Sequence, residues 1–126
     1  KADAAKQRAF FDTVLQPLME QAKSDKIVLL FMDASHFVMG CDFLGYVYGV
    51  TRRFIKTYSG RMRCNVLGAL NFVSKKLTTV TNDTYITAAQ VCDLLTKISS
   101  EYAGQTIHLV LDNARYQKCK NVTDMF

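Results

Sequence analysis

The sequence predicts an α/β fold in which a mixed sheet is flanked by helices. Three observations carry that expectation. Two short apolar runs, Ile27-Val28-Leu29-Leu30-Phe31-Met32 and Ile107-His108-Leu109-Val110-Leu111, have the continuous apolar character of strands buried on both faces. Between them, residues 63–81 have the pattern of a hairpin, and the segment after Asn82 repeats apolar residues at helical spacing. The chain of 126 residues is 49% hydrophobic and 21% charged, and a domain of that size buries roughly two-thirds of its unfolded surface. One folded unit is expected.

Taken in order, Phe11, Val14, Leu15, Leu18 and Ala22 predict a helix over 4–23, kinked or restarted at Pro17, within a connector of residues 1–25 lying on the core. The first strand spans 27–33 and belongs in the middle of the sheet. Gly40, Gly45, Gly49 and Gly60 break up residues 34–63, which read as an insertion of loops and short strands such as Tyr46-Val47-Tyr48. Residues 63–73 and 77–81 form the hairpin, turning at Ser74-Lys75-Lys76. Asn82, Asp83 and Thr84 offer N-caps for a helix that gathers Ala88, Val91, Leu95, Ile98 and Tyr102 on one face and stops at Gly104. A strand over 107–112 follows, and a new helix begins near Lys118. Strand, hairpin, helix, strand and helix start are the first part of a ribonuclease H-like fold, with a right-handed crossover setting the last strand beside the first. The last strand and C-terminal helices of that fold are expected beyond this chain.

No apolar stretch reaches 18 residues and the first residues lack the apolar core of a signal peptide, so no membrane partner is expected. Cys41, Cys64, Cys92 and Cys119 are too widely spaced for a zinc knuckle or redox motif, and predict small buried or incidental thiols in a reducing compartment. The start without methionine and the helical ending without a stop signal read as a piece of a longer protein.

The net charge of +5 is concentrated in one stretch. Between Phe43 and Asn82 stand Arg52, Arg53, Lys56, Arg61, Arg63, Lys75 and Lys76 with no acid among them, interleaved with Phe54, Tyr58 and Ser59. Guanidinium groups bind phosphate in a bidentate way, so a polyanion such as DNA is the expected partner of these seven residues; a solvated basic loop is the plainer alternative.

Each strand run ends in an aspartate, Asp33 and Asp112. If the strands are parallel neighbours, both carboxylates sit at the carboxyl edge of the sheet, where α/β folds bind ligands, and they outline a divalent-metal site. Taken singly, either could be an ordinary turn residue. Asn113 and Arg115 follow Asp112 at the mouth of that site and are the expected groups to orient a carboxylate or a phosphate. His36 and His108 are read as structural before they are read as ligands.

Phe31-Met32-Asp33-Ala34-Ser35-His36-Phe37, the segment Arg61 to Val80 with Asn65-Val66-Leu67-Gly68-Ala69, and Leu109-Val110-Leu111-Asp112-Asn113-Ala114-Arg115-Tyr116 resemble the catalytic domain of mariner-like insertion-sequence transposases, DDE-type enzymes of ribonuclease H-like fold. The resemblance implies that Asp33 and Asp112 are the first two catalytic acids and bind Mg²⁺ or Mn²⁺. It also implies a third acid a few tens of residues beyond Asp112, too far for Asp124, so that this chain alone is inactive. DNA at transposon ends and targets is the implied partner, and a prokaryotic, nucleoid-associated location in the cytoplasm the implied setting. Two metal ions about 3.5–4 Å apart activate the attacking oxygen and stabilise the leaving one in phosphodiester transfer, which is why carboxylates are needed and no protein nucleophile is. Ala34 and Gln117 depart from the family, which often has an acid and a histidine there.

Two other readings carry weight. The chain could be a non-catalytic DNA-binding or self-association module in which the basic stretch acts and the aspartates are structural. A small phosphohydrolase is less favoured, because a long acid-free basic stretch suits a polymer. An unpaired strand edge would invite homodimerisation.

Overall fold

The computed structural model describes residues 3–38, 46–47, 49–51, 53–54 and 62–126. Arg52, Lys56, Arg61 and Cys41 from the expectations above lie outside the described residues. Helix α1 spans Ala4–Phe10, a π-helical turn covers Phe11–Leu15 and α2 continues over Gln16–Lys23. Strand β1 is Val28–Val38, and β2 (Tyr46–Val47) pairs antiparallel with β3 (Arg53–Phe54). Then come β4 (Arg63–Asn71), β5 (Leu77–Asn82), α3 (Ala88–Glu101), β6 (Ile107–Val110), a 3-10 turn at Arg115–Gln117 and α4 (Lys120–Thr123). The main sheet has the order β5-β4-β1-β6, with β1 antiparallel to β4, β4 to β5, and β6 parallel to β1. Three antiparallel strands, a crossover helix and a fourth strand parallel to the first are the ribonuclease H-like arrangement expected.

Pro17 explains the π-helical turn. A helical proline supplies no N–H and crowds the carbonyl four residues back, here that of Thr13. The chain answers by widening one turn, so that the Gln16 N–H bonds the Phe11 carbonyl. The expectation that residues 4–23 lie on the core holds only at their end. Ala22 is buried and α2 packs on β1, whereas Phe10, Phe11 and Val14 are exposed.

Three boundaries are corrected. Strand β6 ends at Val110 rather than reaching 112, so Asp112 lies in the loop that follows it. Strand β1 does not stop at Asp33 but runs on to Val38, because β4 supplies antiparallel partners from Leu30↔Asn71 through Val38↔Arg63. The expected insertion at 34–63 therefore shrinks at both ends. The N-cap of α3 is Thr87, not Asn82, Asp83 or Thr84. Of the earlier candidates, the Asn82 side chain is engaged elsewhere: Asn65 Nδ2 donates to Asn82 Oδ1 at 3.0 Å and to the Thr84 backbone carbonyl at 2.9 Å. Gln90 accepts from the Thr87 N–H at 2.8 Å, as a capping box requires.

The core lies between the sheet and α3. Val28, Leu30 and Met32 of β1, Leu67 and Ala69 of β4, and Val91, Leu94, Leu95 and Ile98 of α3 are buried together. Burial of each large aliphatic side chain contributes about 1.5–3 kcal/mol. The β4–β5 turn falls where expected: Asn71 Oδ1 accepts from the Val73 and Ser74 N–H groups at 2.9 and 3.0 Å, and Lys75 takes a left-handed φ of 61°. At the other end of α3, Lys76 pairs with Glu101, and Thr78 Oγ1 donates to the same carboxylate at 2.6 Å, strapping helix to sheet.

Leu94→Ala, which opens a cavity at a fully buried position, is expected to cost about 2–5 kcal/mol in urea unfolding, and Val73→Ala at the exposed turn about 0.5 kcal/mol or less. The hydrogen bonds from Lys76 and then Thr78 hold the Glu101 carboxyl below its ordinary pKa. The unfolded chain therefore binds a proton first as pH falls, and this stabilisation, present above the unfolded pKa, is lost through the lowered folded value. Glu101→Gln should flatten that acid limb in denaturation curves measured between neutral pH and pH 3 or so.

Candidate functional site

Strands β1 and β6 pair from Val28↔Ile107 to Phe31↔Val110, a constant offset of 79 positions. Asp33 and Asp112 are separated by the same 79, each two residues past the last paired position on its strand. Asp33 lies within β1 and Asp112 in the loop that leaves β6, so the register carries both toward the same end of the sheet. Sheet alternation also sets their side. Val28, Leu30 and Met32, with Ala34 behind them, face α3, as do Ile107, Leu109 and Leu111. The intervening residues, Asp33 and Asp112 among them, belong to the opposite face, and both aspartates are exposed.

Beside Asp33 the side chains of β5 lean over β4. The partner of Asp33 on β4 is Gly68, and a Cβ there would come within 3.2 Å of Leu77 Cδ1. A glycine inside a strand marks a place where something approaches the backbone closely. Phe31, Asp33, Ser35, Val66 and Gly68 line a shallow cavity of about 290 Å³ on this face.

Asp112 is held by the chain that follows it. Asn113 adopts a left-handed φ of 71°, turning the backbone back on the carboxylate. Asp112 Oδ1 accepts from Gln117 Nε2 at 2.7 Å and from the Ala114 N–H at 3.3 Å, and Gln117 Oε1 accepts from the same Ala114 N–H at 3.0 Å. Gln117 is only 4% exposed. Tyr116 stands between the acids electrostatically: burial, then Asp112, then Asp33 raise its phenol above its ordinary pKa, so it remains a neutral hydroxyl near both.

The other expected site residues divide by position. Asn113 and Arg115 are exposed, and among the described residues neither side chain bonds Asp112; Gln117 does. Sequence reading registered Gln117 only as a departure from the family. The available signal was an amide five residues after the acid with a left-handed-tolerant Asn between them. Arg63 pairs with Val38 beyond Asp33 along β1, on the α3 face and so opposite to Asp33, with its guanidinium 5.5 Å from the Tyr85 ring centre. Lys75 and Lys76 lie at the opposite end, where Phe72 N–H bonds the Leu29 carbonyl, and they engage Phe72 and Glu101. Arg53 is in β3.

His36 belongs to a polar chain. Asn65, 2% exposed, commits its amide N–H groups to Asn82 and Thr84, so its Oδ1 accepts from His36 Nδ1 at 2.8 Å. His108 is half-buried beside a cavity of about 420 Å³ between α3 and β6. Cys64, expected as a small buried or incidental thiol, is exposed on β4, and Cys92 and Cys119 are partly buried; all three are free. Among the described residues no group of three or more His, Cys, Asp or Glu side chains could hold a metal, and no helix is long and apolar enough to cross a membrane. What the residues present offer a hard cation is two exposed carboxylates, one of them oriented by an amide, and carboxylate oxygen is the chemistry Mg²⁺ or Mn²⁺ prefers.

Residues 28–126 match the family described as DDE superfamily endonuclease. No curated protein is significantly similar to the chain. Among solved structures, the crystal structure of the mariner Mos1 paired end complex with Mg is similar at a TM-score of 0.46 and 15% identity, over 87% of this chain. The chain spans about a third of that protein, 36% of its length.

Two outcomes test this geometry. Asn113→Gly should be neutral or stabilising and Asn113→Val should cost about 1–2 kcal/mol in chemical denaturation, because only the second strains the left-handed turn. The raised Tyr116 pKa means that the folded chain holds its phenolic proton longer than the unfolded one, so stability falls as pH rises above about 10. Tyr116→Phe should remove that alkaline decline in thermal melts.

Proposed function

Since the chain belongs to the DDE superfamily endonuclease family, we propose that it is part of the catalytic domain of a mariner-like transposase, which cuts DNA at transposon ends and joins it to a target. The observation that supports this reading is the parallel register of β1 and β6, whose offset of 79 positions equals the separation of Asp33 and Asp112 in the sequence. In this reading the two aspartates hold Mg²⁺ or Mn²⁺, and the third acid lies outside residues 1–126. The bound metal, when present, supplies activation of the attacking oxygen and charge stabilisation of the leaving one.

The chain's own residues prepare that chemistry. Asp33 stands opposite Gly68, with Oδ1 accepting the Ala34 N–H at 2.8 Å. Asp112 is held through Oδ1 by Gln117, and its Oδ2 has no partner among the described residues. Tyr116 remains protonated and can donate to an anionic oxygen near both acids. Arg63, at the β1 end beyond Asp33, lies on the α3 face of the sheet, opposite to Asp33, and would meet a DNA phosphate only where the duplex passes the sheet's end. Lys75 and Lys76, at the far end of the sheet, would at most contact DNA that extends past the site.

The test uses the full-length protein that contains this chain and DNA bearing the element's ends. Nicking and joining should require Mg²⁺ or Mn²⁺ and vanish in Asp33→Asn and Asp112→Asn. DNA affinity should persist in both variants and fall with rising salt, because phosphate contacts release counterions. DNA binding with no metal-dependent cleavage in the parent protein would instead favour the non-catalytic module.

A further inference from the structure

We propose that Gln117 is the positioning residue of Asp112, fixing which carboxylate oxygen faces a bound divalent cation. The proposal rests on the metal-binding reading of Asp33 and Asp112 and adds a residue to it. Gln117 is buried at 4% exposure, yet it is polar and its side-chain bonds are directed at this loop. Its Nε2 donates to Asp112 Oδ1 at 2.7 Å, a short bond for an amide donor and typical of an ionised acceptor. Its Oε1 accepts from the Ala114 N–H at 3.0 Å, which closes the ring of residues 112–117.

The consequence is steric and electrostatic together. With Oδ1 engaged by Gln117 and Ala114, rotation of the Asp112 carboxylate is restrained, and Oδ2 is left for the cation. The turn that makes this possible is the left-handed Asn113, without which residue 117 could not fold back onto residue 112. Hydrogen-bond partners behind a metal ligand commonly change metal affinity 10–100-fold when removed. Any replacement that keeps the function must offer one donor and one acceptor over a similar reach. Neutral imidazole offers both, whereas a thioether of the same length offers neither useful group.

Nuclear magnetic resonance on this chain tests the proposal through two readouts in wild type, Gln117→Met and Gln117→His. Without metal, three-bond couplings should report one Asp112 side-chain rotamer in wild type, averaging in Gln117→Met, and return of one rotamer in Gln117→His. With Mn²⁺ added, paramagnetic broadening around Asp33 and Asp112 should give an affinity about 10-fold weaker in Gln117→Met and within about 3-fold of wild type in Gln117→His. Amide spectra of the sheet verify folding. If Gln117→Met fails to fold, wild type still decides: an averaged Asp112 rotamer, or Gln117 amide hydrogens that exchange freely with solvent, overturns the proposal. An unchanged rotamer and affinity in folded Gln117→Met overturns it too. Absence of localised broadening in wild type removes the metal reading instead, and the metal-free couplings then decide alone whether Gln117 orients Asp112.

Discussion

Four residues of β1 pair with four of β6, and that short parallel contact fixes the relation of everything else to the candidate site. Parallel strands cannot be joined by a tight turn, so the chain must leave β1, build the β4–β5 hairpin and return through α3 before β6 can form. The crossover helix covers one face with Val91, Leu94, Leu95 and Ile98. A slip of one residue in the pairing would send Asp33 and Asp112 to opposite faces. The register that buries Ile107 and Leu109 against α3 is thus also the register that brings the two acids to one side.

The sheet separates stability from chemistry along its length. Near the amino end of β1 the neighbours are the Asn71 turn, the Lys76–Glu101 pair and the α2 contact, all of which tie elements together. Past Phe31 the parallel partner ends, and β1 continues with β4 alone beside it. Asp33 stands in that half-supported region, opposite a glycine, while Asp112 stands in a loop stabilised by its own hydrogen bonds. One acid is positioned by a strand and the other by a turn, so the two depend on different residues for their orientation.

Buried polar side chains mark the two ends of this arrangement. Asn65 knots the exit of β5 to His36, and Gln117 knots the exit of β6 to Asp112. Both are amides whose donors and acceptors are used locally, as burial requires. The Asn65 network engages the Asn82 side chain, and Thr87, directly before Ala88, caps α3 in place of the earlier candidates.

The order of elements, the central strand, the hairpin, the face of α3 and the parallel return of β6 beside β1 were all legible from the sequence, because they rest on local patterns of apolar residues and on the handedness of crossovers. The length of β1 was not, because residues 34–38 are polar or half-exposed and become strand only by pairing with β4. Nor was the exposure of Phe10, Phe11 and Val14, since a helical stripe says which side is apolar and not whether anything covers it. The dispersal of the cationic stretch, with Arg63 at one end of the sheet and Lys75 and Lys76 at the other, follows from the direction in which β4 runs. Gln117 was the hardest to read: its amide acquires meaning only when a left-handed Asn113 folds it onto Asp112, a contact set by three-dimensional closure of the loop and by burial, neither of which composition or periodicity encodes.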